Sequence, residues 1–142
     1  MTRFHLLLVL NLQEKSPGEI LMRVLVIEDD TSVRETLGMV LEAYEHTPEL
    51  VESGDEAVKA LKITWPDVML LDLTLQGVSG EEVYNQIQAE FGRVPPTVVI
   101  SASHQGESRA RVLPNAYFLA KPYTIEQLEE ILVEAANSTR AA

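Results

Sequence analysis

The sequence predicts an α/β protein, a doubly wound parallel sheet of five strands that alternate with five helices. Three observations carry this. Four short apolar runs, Arg23–Ile27, Val68–Thr74, Thr97–Ile100 and Ala116–Ala120, sit between turn residues, as strands buried on both faces do. The segments between them place apolar residues at helical spacing, and three open with capping boxes: Ser53-Gly54-Asp55-Glu56, Ser79-Gly80-Glu81-Glu82 and Thr124-Ile125-Glu126-Gln127. Strand and helix then alternate throughout, which means parallel strands joined by right-handed crossovers.

The elements follow in order from Met22. Arg23-Val24-Leu25-Val26-Ile27 is the first strand and ends in Glu28-Asp29-Asp30. Val33, Leu37, Val40, Leu41 and Tyr44 then fall at i, i+4, i+7, i+8 and i+11, one face of an amphipathic helix. Glu49-Leu50-Val51-Glu52 is a short second strand, and the helix after it turns Ala57, Val58 and Leu61 inward. Trp65-Pro66 precedes the central run Val68-Met69-Leu70-Leu71-Asp72-Leu73-Thr74, while Gly77 and Gly80 follow it. The third helix carries Val83, Ile87 and Phe91 on one stripe, and Gly92 through Pro96 returns the chain to the strand that ends at Ser101. Between Ser103 and Pro114 there is no convincing apolar stripe, so a fourth helix there is expected to be short or mobile. The last helix sets Ile125, Leu128, Ile131, Leu132 and Ala135 inward; residues 138–142 read as a tail.

Residues 1–21 do not continue this pattern. The run Leu6-Leu7-Leu8-Val9-Leu10 is far shorter than the ~20 residues of a membrane span. Arg3 is a conceivable basic end for a secretory signal, but no small-x-small cleavage site follows, and Gln13 to Gly18 looks like a linker. The preferred reading is an extension outside a core of residues 22–137; an extra strand or a docking segment is the alternative. At 142 residues the chain reads as one domain able to bury a core without staples. Zero cysteines exclude disulfides and thiol chemistry, and 22 acidic against 11 basic residues give −11. That balance disfavours nucleic acid and anionic membrane as partners.

The strand ends carry the chemistry. In open parallel sheets ligands bind outside the carboxyl ends of the strands, and here those ends deliver Glu28-Asp29, then Asp72, then Ser101, then Lys121-Pro122. This ordered set resembles the receiver domain of two-component response regulators over residues 22–137. The resemblance implies the flavodoxin-like strand order 2-1-3-4-5 and a Lys-Pro bond held cis. It also implies Mg²⁺ ligated by Asp29, Asp72 and the Thr74 backbone carbonyl, with Glu28 acting through water. Clustered carboxylates repel unless a pKa rises or a cation binds, and an all-oxygen site suits a hard divalent ion. By the same resemblance Asp72 is the nucleophile that becomes phosphorylated, Lys121 and Ser101 hold the phosphoryl oxygens, and Ser101 and Phe118 form a switch. Thr74 and Ser103, small and neutral, flank the route of hydrolytic water, so a long-lived phosphoryl group is expected.

No phosphate-cradling Gly loop is present, so the phosphoryl group arrives on another molecule; the resemblance makes it a sensor histidine kinase or a phosphotransfer protein. None of His5, His46 and His104 has the context of a phosphohistidine, and each reads as a surface residue. The resemblance further implies a cytoplasmic protein, not an enzyme acting on other molecules, that signals to a target through its fourth helix, fifth strand and fifth helix. Dimerisation on phosphorylation is left open. With only a tail after the last helix, a stand-alone receiver is expected. Two rivals are weighed. A haloacid dehalogenase-type phosphatase would need a second acid where Thr74 stands, and a never-phosphorylated interaction module would not need Glu28, Asp29, Asp72, Ser101 and Lys121 together.

Overall fold

The computed structural model describes residues 21–73 and 78–140. Its five strands are β1 (Arg23–Ile27), β2 (Thr47–Val51), β3 (Val68–Asp72), β4 (Thr97–Ser101) and β5 (Ala116–Ala120), all parallel, in the order β2-β1-β3-β4-β5. The helices among the described residues are α1 (Thr31–Ala43), α2 (Gly54–Ile63), α3 (Gly80–Phe91), α4 (Gly106–Arg111) and α5 (Ile125–Arg140).

Side chains that alternate along the strands divide the core into two layers. Leu25, Ile27, Met69, Leu71 and Val99 pack with Ala57 and Leu61 of α2, Val83 and Ile87 of α3 and Ala110 of α4. On the other face Val24, Val26, Leu70, Val98 and Ile100 meet Leu37 and Leu41 of α1 and Leu128, Leu132 and Ala135 of α5. Every residue of β3 and β4 is buried. Their lack of polar alternation follows from having helices on both faces.

Local chemistry sets the helix ends. The Val33 amide donates to Asp30 Oδ1 at 2.9 Å, the Glu56 amide to Ser53 Oγ at 3.2 Å, and the Glu82 amide to Ser79 Oγ at 3.1 Å. Thr124 and Gln127 make the reciprocal pair of a full capping box, at 2.9 and 3.1 Å. Helix α4 is short, as expected, and has no side-chain cap bond. Asn115, which precedes β5, holds φ 65° in the left-handed region, where Asn is the most readily tolerated residue after Gly. Its side-chain amide also donates to the Val94 carbonyl at 3.2 Å.

Four expectations are corrected. Strand β2 begins at Thr47 rather than Glu49; it is an edge strand, and such a strand accommodates Pro48 without losing a ladder donor. Val33 is 38% exposed instead of facing the sheet, because the first turn of α1 starts at the sheet's rim. Helix α5 runs on to Arg140, past the expected boundary at 137. His46 is a core residue, 4% exposed, rather than a surface one. Its Nδ1 accepts the Met22 amide at 3.1 Å and its Nε2 lies 2.8 and 2.9 Å from the Glu129 carboxylate oxygens, which ties α5 to the start of β1. Tyr44 stacks on its ring. Among the described residues no helix is long and apolar enough to cross a membrane. Of the expected extension, residues 1–21, only Leu21 is described, and it is exposed; residues 1–20, His5 among them, lie outside the described residues.

Candidate functional site: an acidic pocket at the strand ends

The strand order makes β1 and β3 neighbours, with Ile27 opposite Leu71, so the next residues, Glu28 and Asp72, come out side by side. Both are buried, at 5% exposure. Their carboxyl groups hydrogen-bond each other, and Glu28 Oε1 also accepts the Asp30 amide at 3.2 Å. Burial, then the hydrogen bond and charge of Asp72, push the Glu28 carboxyl up to about 7. Two buried carboxylates this close cannot both stay ionised cheaply, and in the absence of a cation a shared proton relieves them.

On the other side of Asp72 stands Lys121, whose Nζ is 2.8 Å from Asp72 Oδ2. Partial burial pulls this ammonium down, yet the hydrogen bond and charge of Asp72, with Glu28 behind, hold it above the ordinary lysine value. The Lys121–Pro122 peptide bond is cis, and the Lys121 amide donates to the Ser101 carbonyl at 3.0 Å, which places the lysine beside the end of β4. Ser101 is buried, and its Oγ accepts the Ser103 amide at 3.0 Å. Phe118 is half-buried against the layer that contains α4, and Tyr117 faces the opposite layer, as alternation along β5 requires.

The structure therefore brings Glu28, Asp72, Lys121 and Ser101 to one rim, with Asp29 next to Glu28 and partly exposed. Thr74 lies outside the described residues. Among those described, no three acidic or histidine side chains are already spaced as a metal-ligand set. The donors nevertheless suit a hard cation: all are oxygens, on adjoining strand ends, and once the shared proton is lost the Glu28–Asp72 pair carries two negative charges, of which Lys121 balances one.

Three features of this rim were not found from sequence. Arg34, on α1, donates to the Glu28 carbonyl at 2.9 Å. Arg109 of α4 grips Glu81 of α3 with both ends of its guanidinium, Nε to Oε2 at 2.6 Å and a terminal nitrogen to Oε1, and also reaches the Leu73 carbonyl next to Asp72 at 3.4 Å. This pairing holds the Glu81 carboxyl below the usual range. Gly106 fits α4 against Ser101 and Phe118: a Cβ there would lie 2.8 Å from Phe118 Cε2 and 2.8 Å from Ser101 Cβ. Partners 28 residues apart, as Glu81 and Arg109 are, leave no local spacing signal. Because both side chains are a quarter or more exposed, Glu81→Gln is expected to cost only about 0.2–1 kcal/mol in urea denaturation.

Residues 24–133 match the response regulator receiver domain family, and the chain belongs to it. It is 35% identical over 109 residues to the phosphate regulon transcriptional regulatory protein PhoB of Escherichia coli (strain K12), an alignment that covers 75% of this chain and 48% of PhoB. The chain thus spans about half the length of the curated relatives it matches. Among solved structures, the receiver domain of the sensor histidine kinase PA1611 from Pseudomonas aeruginosa PAO1 is similar at 25% identity and a TM-score of 0.72, over 83% of this chain and 99% of that one. That structure has a magnesium ion coordinated in its active site cleft. A CheY-like receiver domain from Methylobacillus flagellatus is similar at 28% identity and a TM-score of 0.70, over 82% of this chain and 99% of that one.

Proposed function

We propose that this receiver domain accepts a phosphoryl group on Asp72 from a phosphohistidine of a sensor histidine kinase or phosphotransfer protein, and signals through protein contacts that depend on that modification. The observation that carries the reading is the placement of Asp72: buried at a strand end, hydrogen-bonded to Glu28 on one side and 2.8 Å from Lys121 Nζ on the other. An Asp72 carboxylate oxygen attacks phosphorus, the P–N bond to the donor imidazole breaks, and its electron pair leaves with the imidazole. An acyl phosphate is left on Asp72. Water later cleaves it to restore the carboxylate and release phosphate. Lys121 holds charge at the phosphoryl oxygens, and Ser101 donates its hydroxyl to one of them. The domain catalyses only these reactions of its own carboxylate and is not otherwise an enzyme.

Mg²⁺ would be held by Glu28, Asp29, Asp72 and the backbone carbonyl of Thr74; when bound, it supplies positive charge that offsets the carboxylates and the incoming phosphoryl oxygens. Phosphorylation adds about −1.5 to −2 of charge at this rim, beside Ser101, which adjoins α4 through Gly106. The surface of α4, β5 and α5 is therefore the output face. A cytoplasmic location goes with this reading.

The test is incubation with acetyl phosphate and Mg²⁺, followed by measurement of the label. Wild type is expected to acquire one phosphoryl group that hydroxylamine removes, and Asp72→Asn none. Labelling that persists in Asp72→Asn, or that resists hydroxylamine, overturns the assignment.

A further inference from the structure

We propose that Arg34 is a positioning residue for the acid pair: it gathers the Glu28 and Asp29 carbonyls on one guanidinium and so fixes where their side chains point. The inference rests on the reading of Glu28 and Asp29 as Mg²⁺ ligands. Strand β1 ends at Ile27, so the two carbonyls that follow have left the ladder and need other donors. One terminal nitrogen of Arg34 donates to the Glu28 carbonyl at 2.9 Å and reaches the Asp29 carbonyl at 3.4 Å; the other reaches Thr31 Oγ1 at 3.4 Å. The side chain is only 16% exposed. Two other side-chain bonds hold this turn, from the Asp30 amide to Glu28 Oε1 at 3.2 Å and from the Val33 amide to Asp30 Oδ1 at 2.9 Å, and the backbone supplies the rest. The Glu28 amide is held by the Val51 carbonyl on β2 at 3.1 Å, and the Arg34 amide by the Asp30 carbonyl at 2.9 Å. One nitrogen of the guanidinium thus joins two successive carbonyls while the other stays near Thr31 Oγ1, a fixed fork that a single flexible ammonium does not reproduce.

Glu52 gives no competing account of Arg34. It lies 3.9 Å from the guanidinium and is 60% exposed, the geometry of a weak surface pair.

Charge and positioning predict opposite signs, which makes the proposal testable. If Arg34 acted only as a nearby cation, its removal would tighten Mg²⁺ binding. If it positions ligands, removal weakens binding, and outer-shell losses of this kind are about tenfold or more. Calorimetric titration with Mg²⁺ is expected to show affinity about tenfold lower in Arg34→Met, a smaller loss in Arg34→Lys, and no change in Glu52→Gln. Without metal, the Asp30 amide, which is bonded to Glu28 Oε1, should exchange faster in Arg34→Lys, while the Glu28 amide, bonded to the Val51 carbonyl of β2, keeps its protection. General unfolding would expose both. At saturating Mg²⁺, labelling of Asp72 by acetyl phosphate should return to near the wild-type rate. Unchanged or tighter Mg²⁺ binding in both variants, or equal loss of protection at Glu28 and Asp30, overturns the proposal. Wild type that binds no Mg²⁺ instead overturns the metal reading beneath it.

Discussion

Wild-type protein without divalent cations is expected to lose stability between about pH 4.5 and pH 7, and Glu28→Gln to lose far less. The Glu28 carboxyl titrates near 4.5 when unfolded and at about 7 in the folded protein. Its folded pKa is raised, so the native state binds the extra proton between those values. The penalty is absent below about pH 4.5, grows as pH rises and is complete above about pH 7. A shift of this size corresponds to about 3 kcal/mol. Glutamine stays neutral and can still hydrogen-bond Asp72, which removes the titration and keeps a partner for the nucleophile. Millimolar Mg²⁺ should flatten the wild-type curve as well, because the cation replaces the proton as the relief of the Glu28–Asp72 repulsion and stabilises by binding the native state. Urea denaturation at several pH values, with and without Mg²⁺, checks all of these. Parallel curves for wild type and Glu28→Gln would show that the pair is not the source of the penalty.

Gly106→Val should lower stability by about 1–3 kcal/mol, the usual range for overpacking, and detach α4 selectively. The added Cβ would meet Phe118 Cε2 and Ser101 Cβ, each at 2.8 Å. Ser101 Cβ is fixed to the backbone of a wholly buried strand, so it cannot retreat. Helix α4 is the part that can: it has six residues and no side-chain cap bond, and it is held by Ala110, Leu113 and the Arg109–Glu81 pair. Amide exchange should therefore quicken along α4 while β4 stays protected. Because α4 is part of the proposed output face and Gly106 packs on Ser101 and Phe118, which the resemblance makes the switch, this variant should also bind the target of the phosphorylated form more weakly. Unchanged stability together with unchanged α4 exchange would mean that the close fit at Gly106 is not a constraint.

Much of the fold was legible because doubly covered strands are apolar without a break, and because three helices announce their starts with capping boxes. β3 and β4 are the plainest cases, every residue of each being buried. Strand order was not legible from periodicity, since the pattern of Val24 or Leu70 does not say which strand lies alongside; the family resemblance supplied it. The acid, hydroxyl and lysine positions were legible because each closes a strand. What escaped were side chains whose partners are remote in sequence. His46 pairs with Glu129, 83 positions away, and Arg109 with Glu81, 28 away. Arg34 escaped for another reason: its partners are nearby backbone carbonyls, which no residue type reports. The boundary of β2 was misplaced because Pro48 reads as a breaker until the strand is known to lie at an edge.

The central claim, that Asp72 is the phosphoacceptor, is tested most directly by borohydride reduction of acetyl phosphate-treated protein followed by mass mapping of its peptides. Reduction converts an aspartyl phosphate to homoserine and so marks the acylated residue permanently. The conversion is expected at position 72 alone, and only in samples that contained Mg²⁺. Conversion at Asp29 or Glu28, or a stable phosphate on Ser101 with position 72 intact, would contradict it.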